Sequence, residues 1–177
     1  MNRCKINGTL AKTGDTFGPR HIYNLEVPRM GDGADTLLVV SSDGDLPEDR
    51  VTIEGTVRAE YFRGKGVLVY IEPETVKSAD ENVSATTVTG TLKNDPVAYK
   101  TKRGRDVCTL ILITEGGPVP VIVWGKTAKN APDNFKSGDI LTAEGRLQSR
   151  EYPTRDGGRK TTYEVSVGRG NPEIKKG

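Results

Sequence analysis

The chain has 177 residues, of which 34% are hydrophobic and 6% aromatic, with 21 glycines and 10 prolines. That is thin for one large core and suits two small β domains made of short strands and turns. The net charge of +2 hides an asymmetry, because residues 1–82 hold 10 Lys+Arg against 14 Asp+Glu and residues 83–177 hold 16 against 10. A polyanionic partner is therefore expected at the second half.

His21 is the only histidine, and Cys4 and Cys108 are the only cysteines. No cluster for a metal, no nucleophile–base pairing and no phosphate-cradling glycine-rich loop can be assembled, so neither enzyme chemistry nor a cofactor is expected. There is no apolar leader and no membrane-length apolar run, which makes a reducing cytoplasm the expected location. The two thiols read as small strand hydrophobes.

Cys4 to Leu10 alternates as a half-buried strand, and Thr13-Gly14-Asp15 and Gly18-Pro19 are turn signals. Strands follow at His21–Val27, Asp35–Ser42, Val51–Val57 and Val67–Ile71, with a hairpin turn at Arg63-Gly64-Lys65-Gly66. The polar stretch 78–85 reads as a linker between domains at 1–77 and 86–170, and 171–177 as a short basic tail. The pattern then restarts. Thr87–Leu92, Asp106–Thr114, Val119–Trp124, Ile140–Arg150 and Thr161–Arg169 give five more strands.

The restart is an internal repeat. Gly8-Thr9-Leu10 recurs as Gly90-Thr91-Leu92, and Ile53-Glu54-Gly55-Thr56-Val57 as Ala143-Glu144-Gly145-Arg146-Leu147. The offset grows from 82 to 90, so the second copy gains eight residues within Lys126–Ser137. Ala128, Ala131 and Phe135 lie there at helical spacing, and Pro132 limits the expected helix to a turn or two. Five strands with an optional helix between the third and fourth describe an OB-fold. The expected fold class is all-β: two tandem five-stranded OB-fold barrels, the second with the short helix.

Residues 86–170 also resemble the bacterial single-stranded DNA-binding protein family. The resemblance rests on Val88 to Pro96, on Val121-Ile122-Val123-Trp124-Gly125-Lys126-Thr127-Ala128, and on Gly138-Asp139 through Glu144-Gly145-Arg146-Leu147-Gln148-Ser149-Arg150-Glu151-Tyr152. Thr162-Tyr163-Glu164-Val165 closes it. It implies binding of single strands by aromatic stacking and basic contacts, without catalysis. It also implies four OB-folds acting together, which a two-copy chain reaches as a homodimer. Three features depart from the family. The loop after the second strand of the second copy is cut to Glu115-Gly116-Gly117-Pro118, the ending Pro172–Gly177 leads us to expect no acidic partner-recruiting tail, and Ser42 stands where the second copy has Trp124.

The candidate nucleic-acid-binding residues follow. Trp124 and Tyr152 are stacking platforms, and Tyr99 is a third. Lys100, Lys102, Arg103, Arg105, Arg146, Arg150, Arg155, Arg159 and Lys160 are phosphate-attracting cations, and Lys126 adds to the same surface. Arg146, Gln148, Arg150 and Tyr152 alternate on one strand, so they share a face and form a candidate track. Val121 and Val123 cannot share a face with Trp124, so if they point inward it points out. A weaker first-copy site would use Phe17, Phe62, Arg58, Arg63 and Lys65, against an acidic background. The expected function is single-stranded DNA binding with little sequence preference, in replication, recombination or repair. The alternatives are an OB-fold adaptor that binds proteins of a replication or mobile-element system, with weak or no DNA binding, and RNA as the ligand.

Overall fold

The computed structural model describes every residue except 65, 80–81 and 169–173. The candidate cation Lys65, and parts of the expected linker and tail, lie outside the described residues.

The first half contains β1 (Asn2–Phe17), β2 (Arg20–Pro28), β3 (Ala34–Ser41), β4 (Arg50–Phe62) and β5 (Gly66–Ser78). The second contains β6 (Ser84–Leu92), β7 (Ala98–Lys100), β8 (Asp106–Thr114), β9 (Gly117–Trp124), α1 (Gly125–Asn134), β10 (Ile140–Pro153), β11 (Arg159–Val167) and β12 (Ile174–Lys176). The molecule is mostly β, with a closed five-stranded barrel and one short helix, the arrangement of an OB-fold.

In the second half β6 pairs with β8, β8 with β9, β9 with β11 in parallel, β11 with β10 and β10 with β6, which closes the ring. The first half repeats this order through β1, β2, β3, β5 and β4. Its parallel β3–β5 step rests on the single register pair Val39–Ile71. The halves join through β1 and β6, so all strands belong to one hydrogen-bonded sheet.

Alternation explains the core. Cys108, Leu110 and Leu112 of β8 and Val121 and Val123 of β9 are buried in the hydrophobic cluster, which points their neighbours outward. Cys4 and Cys108 are buried within the same cluster, and burial pushes the Cys4 thiol up to about 12. Ala128 and Ala131 of α1 are fully buried, and so is most of Phe135.

Three local readings are corrected. The helix runs ten residues, longer than a turn or two, with Pro132 inside its last turn. Packing of Ala128 and Ala131 outweighs the amide that proline lacks, and Phe135 closes the helix by donating its N–H to the Ala131 carbonyl at 2.9 Å. The Thr13-Gly14-Asp15 signal marks an irregularity inside β1, between Lys12 and Thr16, and the chain turns only at Gly18-Pro19. The expected tail contributes β12, which pairs antiparallel with Leu141–Ala143 of β10.

The shortened loop at Glu115–Gly116 docks on the first half. The Ala59 amide of β4 donates to the Gly116 carbonyl at 2.6 Å. Gly117 has φ +105°, and a Cβ there would overlap the Ala59 carbonyl, so only glycine allows the approach. The loop that departs from the family pattern is therefore part of the seam between the halves.

Candidate nucleic-acid interface

The outward faces of β7, β8, β9, β11 and β10 form one surface. Tyr99 of β7 is the register partner of Val107, and Val107 is the register partner of Trp124. Cross-strand partners share a face, so the two aromatics flank Val107, which is only 1% exposed although it lies outside the core cluster. Trp124 is half-buried where β9 passes into α1, and its indole Nε1–H donates to Ser166 Oγ at 3.3 Å. Ser166 pairs with Ile122 on one side and Arg146 on the other. The hydrogen bond thus lays the indole back toward Ile122, which is buried on the outward face.

From Arg146 the surface continues along β10 as the alternation requires. Arg146 donates to Gln148 Oε1 at 3.2 Å, and Gln148 donates to Glu164 Oε1 at 3.0 Å. Arg150 reaches the same carboxylate at 3.2 Å. Tyr152 follows on that face, 38% exposed. The Ser166 row and the Lys160 row lie six residues apart on β11, roughly 20 Å at the usual strand rise. Tyr99, Trp124 and Tyr152 are thereby placed along one outward surface.

The cations divide into two groups. Arg146 and Arg150 are tied to acids, Arg146 to Asp35 at 3.5 Å and Arg150 to Glu164. Asp35 and Glu164 are almost wholly buried, and a buried carboxylate holds its partner because an unpaired charge there is costly. The central track is therefore close to neutral, although a row of phosphate-attracting arginines was expected. Asp35 lies 111 positions before Arg146, a pairing that no local pattern signals. Glu164 faces Gln148 across β10 and β11, a placement that a period of two along both strands encodes.

The other cations lie at the two ends. Lys102, Arg103 and Arg105 are exposed on the β7–β8 loop. That loop is closed by the Thr101 amide donating to the Arg105 carbonyl at 2.9 Å, while Lys100 pairs with Asp106 at 2.9 Å. At the far end the β10–β11 hairpin carries Arg155, Arg159 and Lys160, all exposed. Arg159 sits 3.4 Å from Glu151, with both side chains more than half exposed, a surface pair of little strength. The hairpin turns at Asp156-Gly157, where Gly157 has φ +82°. Hydrogen bonds from the Thr154 hydroxyl and the Gly158 amide hold the Asp156 carboxyl below its usual range. Lys126 is exposed in the first turn of α1.

The first-half candidates are arranged differently. Phe17 and Phe62 pack on each other with ring centroids 3.9 Å apart, and the Arg20 guanidinium lies 4.3 Å over Phe17. Arg20 also contacts Tyr70 and Glu60, and the Tyr70 hydroxyl donates to Glu60. Arg58 is paired with Glu72 at 2.8 Å, and Arg63 is exposed in the turn before β5. The two phenylalanines are thus spent on each other and on Arg20. No group of three or more metal-ligating side chains occurs among the described residues, and no helix is long and apolar enough to cross a membrane.

The family model for the single-strand binding protein family matches residues 83–171. The chain is 29% identical over 94 residues to single-stranded DNA-binding protein 2 of Clostridium acetobutylicum, covering 47% of this chain and 71% of that one. It is 49% identical over 47 residues to single-stranded DNA-binding protein 1 of the same organism, which is 27% of this chain but only 43% of the relative. The fold is similar to the crystal structure of the wild-type single-stranded DNA binding protein from Thermus aquaticus. There the TM-score is 0.74 at 20% identity, over 100% of this chain and 93% of that one. The matched residues are the ones that build the aromatic surface, from β6 through β11, and the chain belongs to the single-strand binding protein family.

Proposed function

We propose that the chain binds single-stranded DNA with little sequence preference. The observation that carries this is the continuous outward surface that joins Tyr99, Trp124 and Tyr152, with cationic loops at both ends. Every base offers a π-face, so stacking tolerates any sequence and contributes about 1–3 kcal/mol per base. The exposed cations of the β7–β8 loop and the β10–β11 hairpin attract phosphates, and the near-neutral row between them aligns the strand. The protein acts by binding, without catalysis or cofactor.

The full architecture we propose is two tandem OB-fold barrels, 1–77 and 86–170, joined by 78–85 and followed by the tail 171–177, of which Ile174–Lys176 pair with β10 as β12. Two such chains would bring four barrels together as a homodimer. The exposed Ile113 and Ile140 support a self-association surface, because both are register partners of Thr91 and so form one outward row. The proposed setting is cytoplasmic replication, recombination or repair, with proteins of those processes as further partners.

A second reading, an adaptor that binds proteins in place of DNA, is favoured by the pairing of Arg146 and Arg150 with acids. One experiment separates the two. In gel shifts with single-stranded DNA, RNA and duplex DNA, wild type should favour single-stranded DNA. The Trp124→Ala, Tyr152→Ala double variant should lose most of that binding. A double variant that binds like wild type would leave the adaptor reading standing, and a mass measurement of the free protein tests the dimer.

A further inference from the structure

We propose that Asp35, in the first half, is a positioning residue for the binding surface of the second half. The inference rests on the DNA-binding reading above.

β6 covers one edge of β10 only from Ile140 to Gly145. Beyond that point the backbone groups of β10 on this edge need other partners, because the strand continues to Pro153. At Ser149 the first half supplies them. The Ser149 amide donates to Asp35 Oδ1 at 3.1 Å, and its carbonyl accepts from Arg29 Nη2 at 3.0 Å. Its hydroxyl oxygen accepts from the Thr36 amide at 3.0 Å. Three hydrogen bonds on one buried residue fix the root of the hairpin that carries Tyr152, Arg155, Arg159 and Lys160. The return strand also passes the first half, since the Lys160 ammonium lies 3.8 Å from where a Cβ on Gly66 would stand.

Asp35 is 0% exposed and spends its two oxygens differently. Oδ1 accepts from the Ser149 amide and from Arg29 Nε and Nη2, at 3.1 and 2.8 Å. Oδ2 makes no hydrogen bond among the described residues and faces the Arg146 guanidinium at 3.5 Å. From Arg146 the contacts run on through Gln148 and Glu164 to Arg150. One carboxylate thus holds both the hairpin root and the first member of the row that precedes Tyr152. A half with a poor binding face of its own contributes by presenting its neighbour's.

The plain alternative is a staple that adds stability and nothing else. Oligo-dT affinity, measured on the full chain where each variant is still folded, separates the two. Asp35→Ala should bind about tenfold more weakly, the usual scale for losing a hydrogen bond to a charged group. Asp35→Asn keeps the Oδ1 acceptor and should recover most of the loss. Val51→Ala, a core change in the first half, should lower the melting temperature and leave affinity unchanged. Hydrogen exchange at 149–162 should quicken in Asp35→Ala and not in Val51→Ala. If Asp35→Ala does not fold, Arg29→Ala, which removes the partly exposed arm of the clamp, should weaken binding in the same direction. Wild-type affinity in the folded Asp35 or Arg29 variant, or equal loss in Val51→Ala, overturns the proposal. Tyr152→Ala in parallel identifies the level of failure. If it loses affinity while Asp35→Ala does not, only the positioning role falls. If it binds like wild type, the DNA-binding reading falls and the positioning role with it.

Discussion

The two halves share a strand order and differ in what they place on it. The register pairs Thr56–Glu72 and Arg146–Ser166 correspond, as do Val39–Ile71 and Val121–Val165. On that alignment Ser42 stands where the second half has Trp124, Thr56 where it has Arg146, Glu60 where it has Arg150 and Glu72 where it has Ser166. An open depression lined by Ser42, Thr56 and Glu72 lies where the other half carries its indole. The same backbone therefore presents an aromatic surface in one copy and a face of paired acids and arginines in the other, Glu60 with Arg20 and Glu72 with Arg58. Function follows the few outward side chains, because the inward ones are hydrophobic in both.

The largest expected effect breaks the comparison directly. Trp124→Ala and Tyr152→Ala together should cost about 2–6 kcal/mol of oligo-dT binding if each stack contributes its usual amount. Phe17→Ala with Phe62→Ala should leave affinity within about threefold, because those rings stack on each other, with their loss appearing as a lower melting temperature. Equal loss of affinity from both pairs would contradict the asymmetry.

The next effect concerns the seam. Gly117→Ala should cost about 1–3 kcal/mol of stability, from its positive φ and from overlap with the Ala59 carbonyl. Gly33→Ala, in the corresponding turn of the first half, meets open space at φ +94°. It should cost less, and denaturant melts of the two variants check this.

A smaller effect sharpens the comparison. Ser42→Trp with Glu72→Ser rebuilds the Trp124–Ser166 pair in the first half. It should tighten oligo-dT binding by about fivefold, the lower end of a single stack.

The smallest effects are titrations. Tyr70 is pushed up to about 12, by burial first and then by its hydrogen bond to Glu60. Its folded-state value lies above the unfolded one, so the stabilisation is complete below pH 10 and is lost as pH rises from 10 toward 12. Absorbance of the phenolate against pH should show this tyrosine ionising last, together with unfolding. The Glu60 carboxyl is held down, first by the Tyr70 hydroxyl, so its share is present above pH 4.5 and lost in stronger acid. The second half has no counterpart, since Arg150 occupies the position of Glu60. Its Cys108 and the first-half Cys4 should both resist thiol reagents at pH 8 until the chain unfolds, because burial raises both thiols.

The sequence showed what is local. Alternation set Trp124 on the face opposite Val121 and Val123, and turn chemistry located the turn at Gly18-Pro19. Helical spacing located Ala128, Ala131 and Phe135 against the barrel. What stayed hidden is non-local. Asp35, Arg29 and Ser149 meet across more than a hundred residues, and no periodicity encodes that meeting. β7 and β12 are three residues each, too short to show a period. The shortened loop carries no local sign of its partner, because Ala59 lies on a strand of the other half.

The central claim is that the stacking surface built on Trp124 binds single strands. The chain has one tryptophan, so its fluorescence reports that surface alone. Titration with oligo-dT at several salt concentrations should quench the emission to saturation. The affinity should fall with salt by about 0.7 log units per log unit for each phosphate contacted. Emission that stays constant while nothing binds, or binding that proceeds without quenching and without salt dependence, would contradict the account.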